Sequence, residues 1–541
     1  MTVGPIPGKV SILYLPACPR LQALHAEAML YSRLIKNRSV VIVFVLFCTS
    51  VSIQAAKPNI LWIIAEDMGP ELACYGTPEV RTPALDTLAK TGVRYTNAFT
   101  VTGVCSTSRS SFMMGMYAMS IGAHNHRSNR DGNFPIPGGV RVLTDWLRPE
   151  GYFTANIKTL TKDKELAKFF KGTGKTDWNF TYESPVDSKL TPFDTDDWDD
   201  LKNNQPFYAQ INFPETHRGG AWNNAHKEIA QTDLADPSKV VIPPYYPDHL
   251  VTRGVWAQYL NTVMAVDRKV ALIREQLVRD GLDKNTVVIF MGDHGRAMPR
   301  SKQWVYDSGL SIPLIIYWPE NNSELPVPVR YQRGSVDDQL VQSIDLSATT
   351  LALAGLKKPA KIQGQVFLGE QAEEEHSYVY AGRDRGDETV LMIRTVRGRR
   401  YRYIRNKYPE RSFLEFNRYK EASYPIIGLM RDLHSQGKLT GPPAALMAPN
   451  RPREELYNLV KDPYEINNLI HSPEHAEVAN RLRQKLDEWQ DEIDDKGRIA
   501  EPDEIPAFWE AQMVKAYSKR LAERSKDWYK TADALGPYKI D

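Results

Sequence analysis

The sequence of 541 residues contains few cysteines and almost no net charge. Four cysteines are too few for a fold held together by disulfide bridges, and 68 basic against 66 acidic residues leave a formal charge of +2. This balance gives no electrostatic reason to expect a nucleic acid partner. The 33 glycines and 36 prolines are spread along the chain, which excludes a collagen-like or low-complexity protein. The length instead predicts several packing units with large cores.

The longest apolar run near the N-terminus is too short for a stable membrane anchor. Lys36 and Arg38 precede an apolar run over residues 40–48, and small and polar residues follow up to Ala55. This order is typical of a cleaved secretory signal peptide, whereas a membrane helix needs about 20 apolar residues. We therefore expect residues 1–56 to be an N-terminal extension with a signal peptide, and the protein to be secreted or periplasmic.

Short, continuous apolar runs predict the strands of a buried, mostly parallel sheet. The strand candidates and one helical pattern lie at residues 59–65, 207–213, 286–291 and 313–317, and at 255–277. Glu66 and Asp67 follow the first run, and Asp293 and His294 come just after the third. Ligands of open α/β sheets bind beyond the carboxyl ends of the strands, so this edge is the predicted functional edge.

The pattern changes in the last third of the chain. Two short runs at residues 390–394 and 400–404 predict a hairpin with outward basic side chains, and residues 478–493 carry the apolar stripe of a late helix. We therefore predict an α/β fold in which helices sandwich a large, mostly parallel sheet, with a catalytic domain at residues 57–385. A smaller C-terminal α+β domain with a helical tail is expected at residues 386–541.

Cys105 and Arg109 lie one helical turn apart in a segment that predicts a helix beginning at the cysteine. At a helix N-terminus the macrodipole favours developing negative charge, and Arg109 would add a positive one. Taken alone, the pair fits a buried cysteine beside a surface ion pair better than a catalytic site. His124 and His126 follow this helix, and they could line a substrate entrance or be ordinary surface histidines.

The order of the motifs along the chain resembles that of one enzyme family. It runs through Glu66-Asp67, Cys74-Tyr75-Gly76, Cys105 to Arg109, Gly292-Asp293-His294-Gly295, Lys302, and Glu455-Leu456-Tyr457-Asn458-Leu459. In this order the sequence is similar to the formylglycine-dependent sulfatases of the alkaline phosphatase superfamily, and within them it looks most like the heparan N-sulfatase, or sulfamidase, branch. The resemblance implies an alkaline phosphatase-like fold.

The resemblance also implies a metal site. Glu66, Asp67, Asp293 and His294 match the ligands of one divalent cation per chain, which is Ca²⁺ in most relatives. Three carboxylates suit a hard cation that prefers oxygen ligands, and an imidazole is an acceptable fourth ligand.

In the resemblance, Cys105 matches a cysteine that a formylglycine-generating enzyme oxidises. The hydrated aldehyde offers two hydroxyl groups, of which one attacks sulfur and the other later expels sulfate. Arg109 would hold this group, and the modification implies that Cys105 forms no disulfide bond with Cys74. Thr107 stands where the usual maturation motif has proline.

Three further residues match family positions around the sulfate group. Lys302 matches a lysine that contacts the sulfate oxygens, and His217 matches a histidine that protonates the leaving group. Lys158 matches a second lysine, although Leu160 stands where relatives have a histidine two residues later.

These matches predict an exported hydrolase of sulfate esters or sulfamates in sulfated carbohydrates, with an N-sulfoglucosamine sulfohydrolase-like activity as the first choice. A phosphodiesterase or phosphonate hydrolase of the same superfamily would share the metal scaffold. A carbohydrate-binding relative in which Cys105 stays a thiol is a third alternative. No nucleic acid partner and no stable membrane anchor are expected, and the oligomeric state stays open.

Overall fold

The computed structural model describes residues 57–127, 135–187, 189–320 and 322–540, so the predicted signal peptide lies outside the described residues. The strands are β1 Asn59–Ala65, β2 Val93–Phe99, β3 Phe153–Thr159, β4 Thr195–Asp197, β5 Phe207–Phe213, β6 Thr286–Gly292, β7 Leu314–Tyr317, β8 Val336–Gln342, β9 Val379–Arg383, β10 Ile393–Arg397, β11 Tyr401–Asn406 and β12 Glu454–Asn458. The helices are α1 Pro83–Thr91, α2 Cys105–Met114, α3 Leu143–Leu147, α4 Gly220–Asn224, α5 Leu250–Arg279, α6 Asp307–Leu310, α7 Asp345–Leu353, α8 Arg418–Ser423, α9 Pro425–Ser435, α10 Gly441–Ala445, α11 Ala476–Glu492, α12 Glu504–Ala522 and α13 Ala532–Leu535. None of these helices is long and apolar enough to cross a membrane.

The first sheet has eight strands in the order β4-β3-β5-β1-β6-β7-β2-β8. Strand β1 lies between β5 and β6 and is parallel to both, and every residue of these three strands is buried. Strand β7 is antiparallel to its two neighbours, β6 and β2. The predicted mostly parallel sheet is therefore confirmed, with β7 as its antiparallel strand.

The side chains of β1 alternate between two hydrophobic cores, one on each face of the sheet. Leu61 and Ile63 pack in the core that contains Val263 of α5, whereas Trp62 and Ile64 pack in the core that contains Leu351 of α7. A strand covered on both faces is apolar along most of its length, since successive side chains point to opposite sides and both sides are buried. This explains why β1 is a continuous apolar run in the sequence.

The second sheet has four antiparallel strands in the order β12-β11-β10-β9, and α11 packs against it through Leu482, Leu486 and Trp489. The predicted hairpin exists as β10 and β11, but its strands begin three residues and one residue later than expected. The expectation of outward basic side chains is wrong for Arg394 and Arg402, which are 2% or less exposed, whereas Arg400 is exposed.

Ion pairs explain why these arginines are buried. Arg394 binds Asp384 and Asp495 at 3.0 and 2.7 Å, and Arg402 binds Glu465 at 2.7 Å. Arg402 also binds Asp307 of α6, which joins the second sheet to a short helix between strands β6 and β7 of the first sheet. Strand β9 already begins at Val379, so the second sheet starts before residue 385, the predicted end of the catalytic domain. The position of the domain boundary stays a prediction.

Candidate functional site

The functional edge forms where β1, β5 and β6 end side by side. The backbone pairing continues one residue beyond the strands, since Glu66 N donates to Phe213 O at 3.0 Å and Asp293 N donates to Ala65 O at 3.1 Å. Asp67 then adopts a φ of 54°, and its amide donates to Asp293 Oδ1 at 2.8 Å. Two acidic segments that are far apart in the sequence thus meet at one point, as the strand ends predict.

Helix α2 begins at Cys105, and all ten of its residues are buried despite five hydroxyl side chains. Internal hydrogen bonds make this burial possible: Ser110 donates to Ser106 O at 2.7 Å, and Ser108 donates to Asp293 O at 2.6 Å. The loop before the helix passes so close to Trp304 that a Cβ on Gly103 would lie 2.6 Å from its carbonyl oxygen. The start of the helix is therefore held directly against the ends of the strands.

Four side chains converge at this point: Asp67, Cys105, Asp293 and His294 have ligand atoms within 4.8 Å of one another. Cys105 Sγ lies 3.8 Å from Asp67 Oδ1, and His294 Nε2 lies 2.9 Å from the same oxygen. Burial opposes protonation of the imidazole, but Asp293 and Asp67 raise the pKa of His294 to about 10. Two carboxylates and one imidazole fit the ligand set of a divalent cation.

Glu66, the fourth predicted ligand, lies beside this cluster and not within it. Its Oε2 accepts a hydrogen bond from Lys175 Nζ at 2.8 Å. Burial raises the pKa of Glu66, but the charges of Lys175 and Arg109 outweigh it and lower the value overall. The role of Glu66 as a metal ligand stays a prediction.

Two buried cations hold the carboxylates of the cluster. Lys302 Nζ donates to Asp67 Oδ2 at 2.6 Å. Arg109 donates through Nε to Asp293 Oδ2 at 3.0 Å and through a terminal nitrogen to Asn212 Oδ1 at 2.6 Å. Arg109 is 1% exposed, so the alternative in which it forms a surface ion pair is wrong.

The environment of Cys105 favours negative charge at its side chain. Burial alone would raise the pKa of the thiol. Lys175 and Lys302, together with hydrogen bonds from His217 and His294, instead lower it well below the usual range. A nucleophile that carries or develops negative charge is stabilised at this position.

His217 reaches the site from the turn after β5, where its amide donates to Pro214 O at 3.0 Å. The neighbouring residues fix this turn: Thr216 donates to Glu66 O, and Glu215 forms a buried ion pair with Lys269 of α5. His217 and Lys175 are only partly buried, whereas the clustered side chains are fully buried. Solvent therefore reaches the site from the side of these two residues.

His126 binds the second residue of helix α2. Its Nδ1 lies 2.6 Å from Ser106 Oγ, and its Nε2 lies 3.6 Å from Asp387 Oδ1. His124 and His126 are 9% and 3% exposed, so the alternative of ordinary surface histidines is wrong.

Comparison with known proteins identifies the family. The sulfatase family model matches residues 58–356, and a model described as N-sulphoglucosamine sulphohydrolase, C-terminal, matches residues 292–421. The chain belongs to the sulfatase family. It is therefore a sulfuric ester hydrolase, and the match favours this function over the phosphodiesterase alternative.

Individual relatives cover most of the chain. An ulvan-active sulfatase of Formosa agariphila is 33% identical over an alignment of 493 positions that covers 84% of this chain and 78% of the relative. The human N-sulphoglucosamine sulphohydrolase is 26% identical over 82% of this chain and 91% of its own. A solved 2-O GAG sulfatase superposes with a TM-score of 0.54 at 21% identity, over 83% of this chain and 95% of that one, which supports the fold.

The structure of the sulfatase does not bring Lys158 to the cluster. Its Nζ forms an ion pair with Asp196 at 3.0 Å, and 55% of its side chain is exposed. Lys175 lies beside Glu66 instead. The sequence did not predict this position, because no recognisable motif surrounds Lys175. Asn212 was also missed, although a polar residue inside the apolar run of β5 was a signal that could have found it.

Proposed function

We propose that this sulfatase releases sulfate from sulfated carbohydrates, as esters or sulfamates, through a formylglycine derived from Cys105 and one bound Ca²⁺. The observation that carries the proposal is the position of Cys105 at the start of a buried helix, beside two carboxylates, His294 and Lys302. The substrate class follows from the relatives, whose names refer to ulvan and to N-sulphoglucosamine. Both are sulfated carbohydrates.

Asp67, Asp293 and His294 would hold the cation, and Glu66 would join them from its place beside Lys175. The donor set fits, because two adjacent buried carboxylates repel each other unless a positive charge lies between them. When bound, the cation would polarise the oxygen nucleophile of the formylglycine hydrate. His294 would then be neutral, since a coordinating imidazole carries no proton on the ligating nitrogen.

The other site residues supply charge and a proton. Arg109 and Lys302 present positive charge that is already oriented by the carboxylates they bind, which favours a sulfate group in the transition state. We assign to Lys175 the supporting charge that the sequence comparison predicted for Lys158. His217, on the solvent side, donates a proton to the oxygen or nitrogen of the leaving sugar.

The proposal includes export and maturation. The signal peptide predicted before residue 57 would direct the chain to a secreted or periplasmic location, and a formylglycine-generating enzyme would act on the segment from Cys105 to Arg109. Thr107 fits the folded helix well, since its hydroxyl lies 2.6 Å from that of Thr102. The departure from proline therefore concerns recognition of the unfolded segment and not the folded site.

The mass of one tryptic peptide, residues 95–109, tests the proposal. We expect the mass of an aldehyde at Cys105, together with sulfate release from a sulfated saccharide that Cys105→Ala abolishes. The alanine variant should keep its fold, because a small side chain fits the start of the buried helix. An intact thiol in active protein, or turnover by the alanine variant, would refute the mechanism.

A further inference from the structure

A basic groove lies between the second sheet and helix α11, away from the catalytic cluster. It has a volume of about 540 Å³, within the range of about 300–1,000 Å³ that is usual for ligand pockets. Its lining includes six cationic side chains, Arg394, Arg405, Lys407, Arg453, Arg483 and Arg498, against two carboxylates, Glu454 and Asp487. Positive charge thus dominates the walls of the groove.

Several of these cations are available to an anionic ligand. Lys407 and Arg453 are exposed and have no carboxylate partner in the described part of the chain; Lys407 Nζ donates to the carbonyl oxygen of Arg498 at 3.2 Å and lies 6.0 Å from the centroid of the Tyr408 ring. Arg405 and Arg498 bind carboxylates that are more than half exposed. Solvated pairs of this kind are weak, so a multivalent anion can replace these carboxylates as partner.

A second cavity of about 230 Å³ adjoins the groove, since Met392 lines both. Its wall includes His124, Asn125 and Arg411. His124 is 9% exposed, and its buried Nδ1 has no hydrogen-bond partner among the described residues. An unpartnered buried nitrogen at a cavity wall marks a place where a ligand hydroxyl or sulfate oxygen can bind.

The second cavity is connected to the catalytic helix through the chain segment that follows its wall residues His124 and Asn125. His126, two residues after His124, binds Ser106, the residue next to Cys105. We propose that the cavity and the basic groove together form a second binding region for the sulfated carbohydrate, which holds parts of the chain beyond the sugar that loses its sulfate. This inference rests on the proposed function. It adds that the natural substrate is a polymer or long oligosaccharide with several sulfate groups.

Binding to dextran sulfate tests the region directly. The full chain with Cys105→Ala binds without turnover, and it is compared with the same chain carrying Lys407→Ala and Arg453→Ala. Each cation near a polyanion contributes to the free energy of binding, so the loss of both Lys407 and Arg453 should weaken binding roughly 30-fold at low salt. The difference should shrink in high salt, where screening shortens the reach of the charges. Uncharged dextran should not bind.

A matched control removes the same charge elsewhere. Arg81 and Lys239 are exposed, and their replacement by alanine should leave dextran sulfate binding within about threefold. Equal losses in the two double variants would overturn the proposal, as would equally tight binding of duplex DNA, because the groove would then be a general polyanion surface.

Turnover separates this inference from the proposed function. With Cys105 present, the groove variant should keep full activity on a small sulfated monosaccharide and lose at least tenfold in kcat/KM on a sulfated polysaccharide. Unchanged kcat/KM on the polysaccharide would overturn the second binding region. Absence of sulfate release from every substrate would instead overturn the proposed function. The comparison of dextran sulfate binding by the groove and control variants would still show whether the groove binds a sulfated polymer.

Discussion

Replacement of Arg109 by alanine should destabilise the protein far more than the loss of an exposed arginine. The side chain is 1% exposed. It donates through Nε to Oδ2 of the buried Asp293 at 3.0 Å and through a terminal nitrogen to Oδ1 of Asn212 at 2.6 Å. Removal of one partner of a buried ion pair leaves an uncompensated charge and costs about 3–5 kcal/mol. This is a large part of the roughly 5–15 kcal/mol that stabilises a typical domain.

The same change at Arg81 is the control. This arginine pairs with Asp233 at 2.7 Å, but its side chain is 74% exposed, so its loss should cost about 0–1 kcal/mol. Arg109→Lys should fall between the two alanine variants, because a single ammonium group keeps the charge but cannot reach both partners as the guanidinium does.

The free energies of unfolding are to be measured by urea denaturation of chelated protein. The variants can be compared directly if they share the same m-value. Addition of Ca²⁺ should reduce the penalty of Arg109→Ala, since the cation would compensate the charge of Asp293. Equal losses for the alanine variants of Arg109 and Arg81 would refute the argument that the buried pair holds the site together. Equal penalties with and without Ca²⁺ would mean that Asp293 does not bind the cation.

Three further predictions concern the metal, the proton donor and a buried acid. Chelation should abolish sulfate release and lower thermal stability, with recovery on titration with Ca²⁺; recovery with Zn²⁺ alone would contradict the calcium assignment. His217→Ala should lose about 10²–10⁴-fold on a sulfated sugar but much less on an activated aryl sulfate, whose leaving group needs little protonation; equal losses would assign His217 to sulfate binding. Burial raises the pKa of Asp267 to about 7, so the folded chain binds an extra proton between about pH 4 and 7 and its unfolding free energy falls as the pH rises through this window. Asp267→Asn should flatten that dependence in urea denaturation, and an unchanged slope would contradict the shift.

The sequence by itself determined the elements that follow from local pattern. The apolar runs at residues 59–65 and 207–213 became β1 and β5 with unchanged bounds, because a strand buried on both faces is largely apolar; Gln210 and Asn212 are the polar exceptions within β5. The acidic residues after β1 and β6 lie together because parallel neighbouring strands place their carboxyl ends at the same edge of the sheet.

Only the tertiary structure decided which charges are paired. Lys175 and Glu66 are 109 residues apart in the sequence, and Lys302 and Asp67 are 235 residues apart. No local sequence pattern predicts either contact. Lys158 was matched by its place in a sequence motif that the relatives share, yet its side chain pairs with Asp196 on the surface. Apolar burial follows the period of a strand or helix, whereas the burial of a charge depends on a partner that only the folded chain brings within reach.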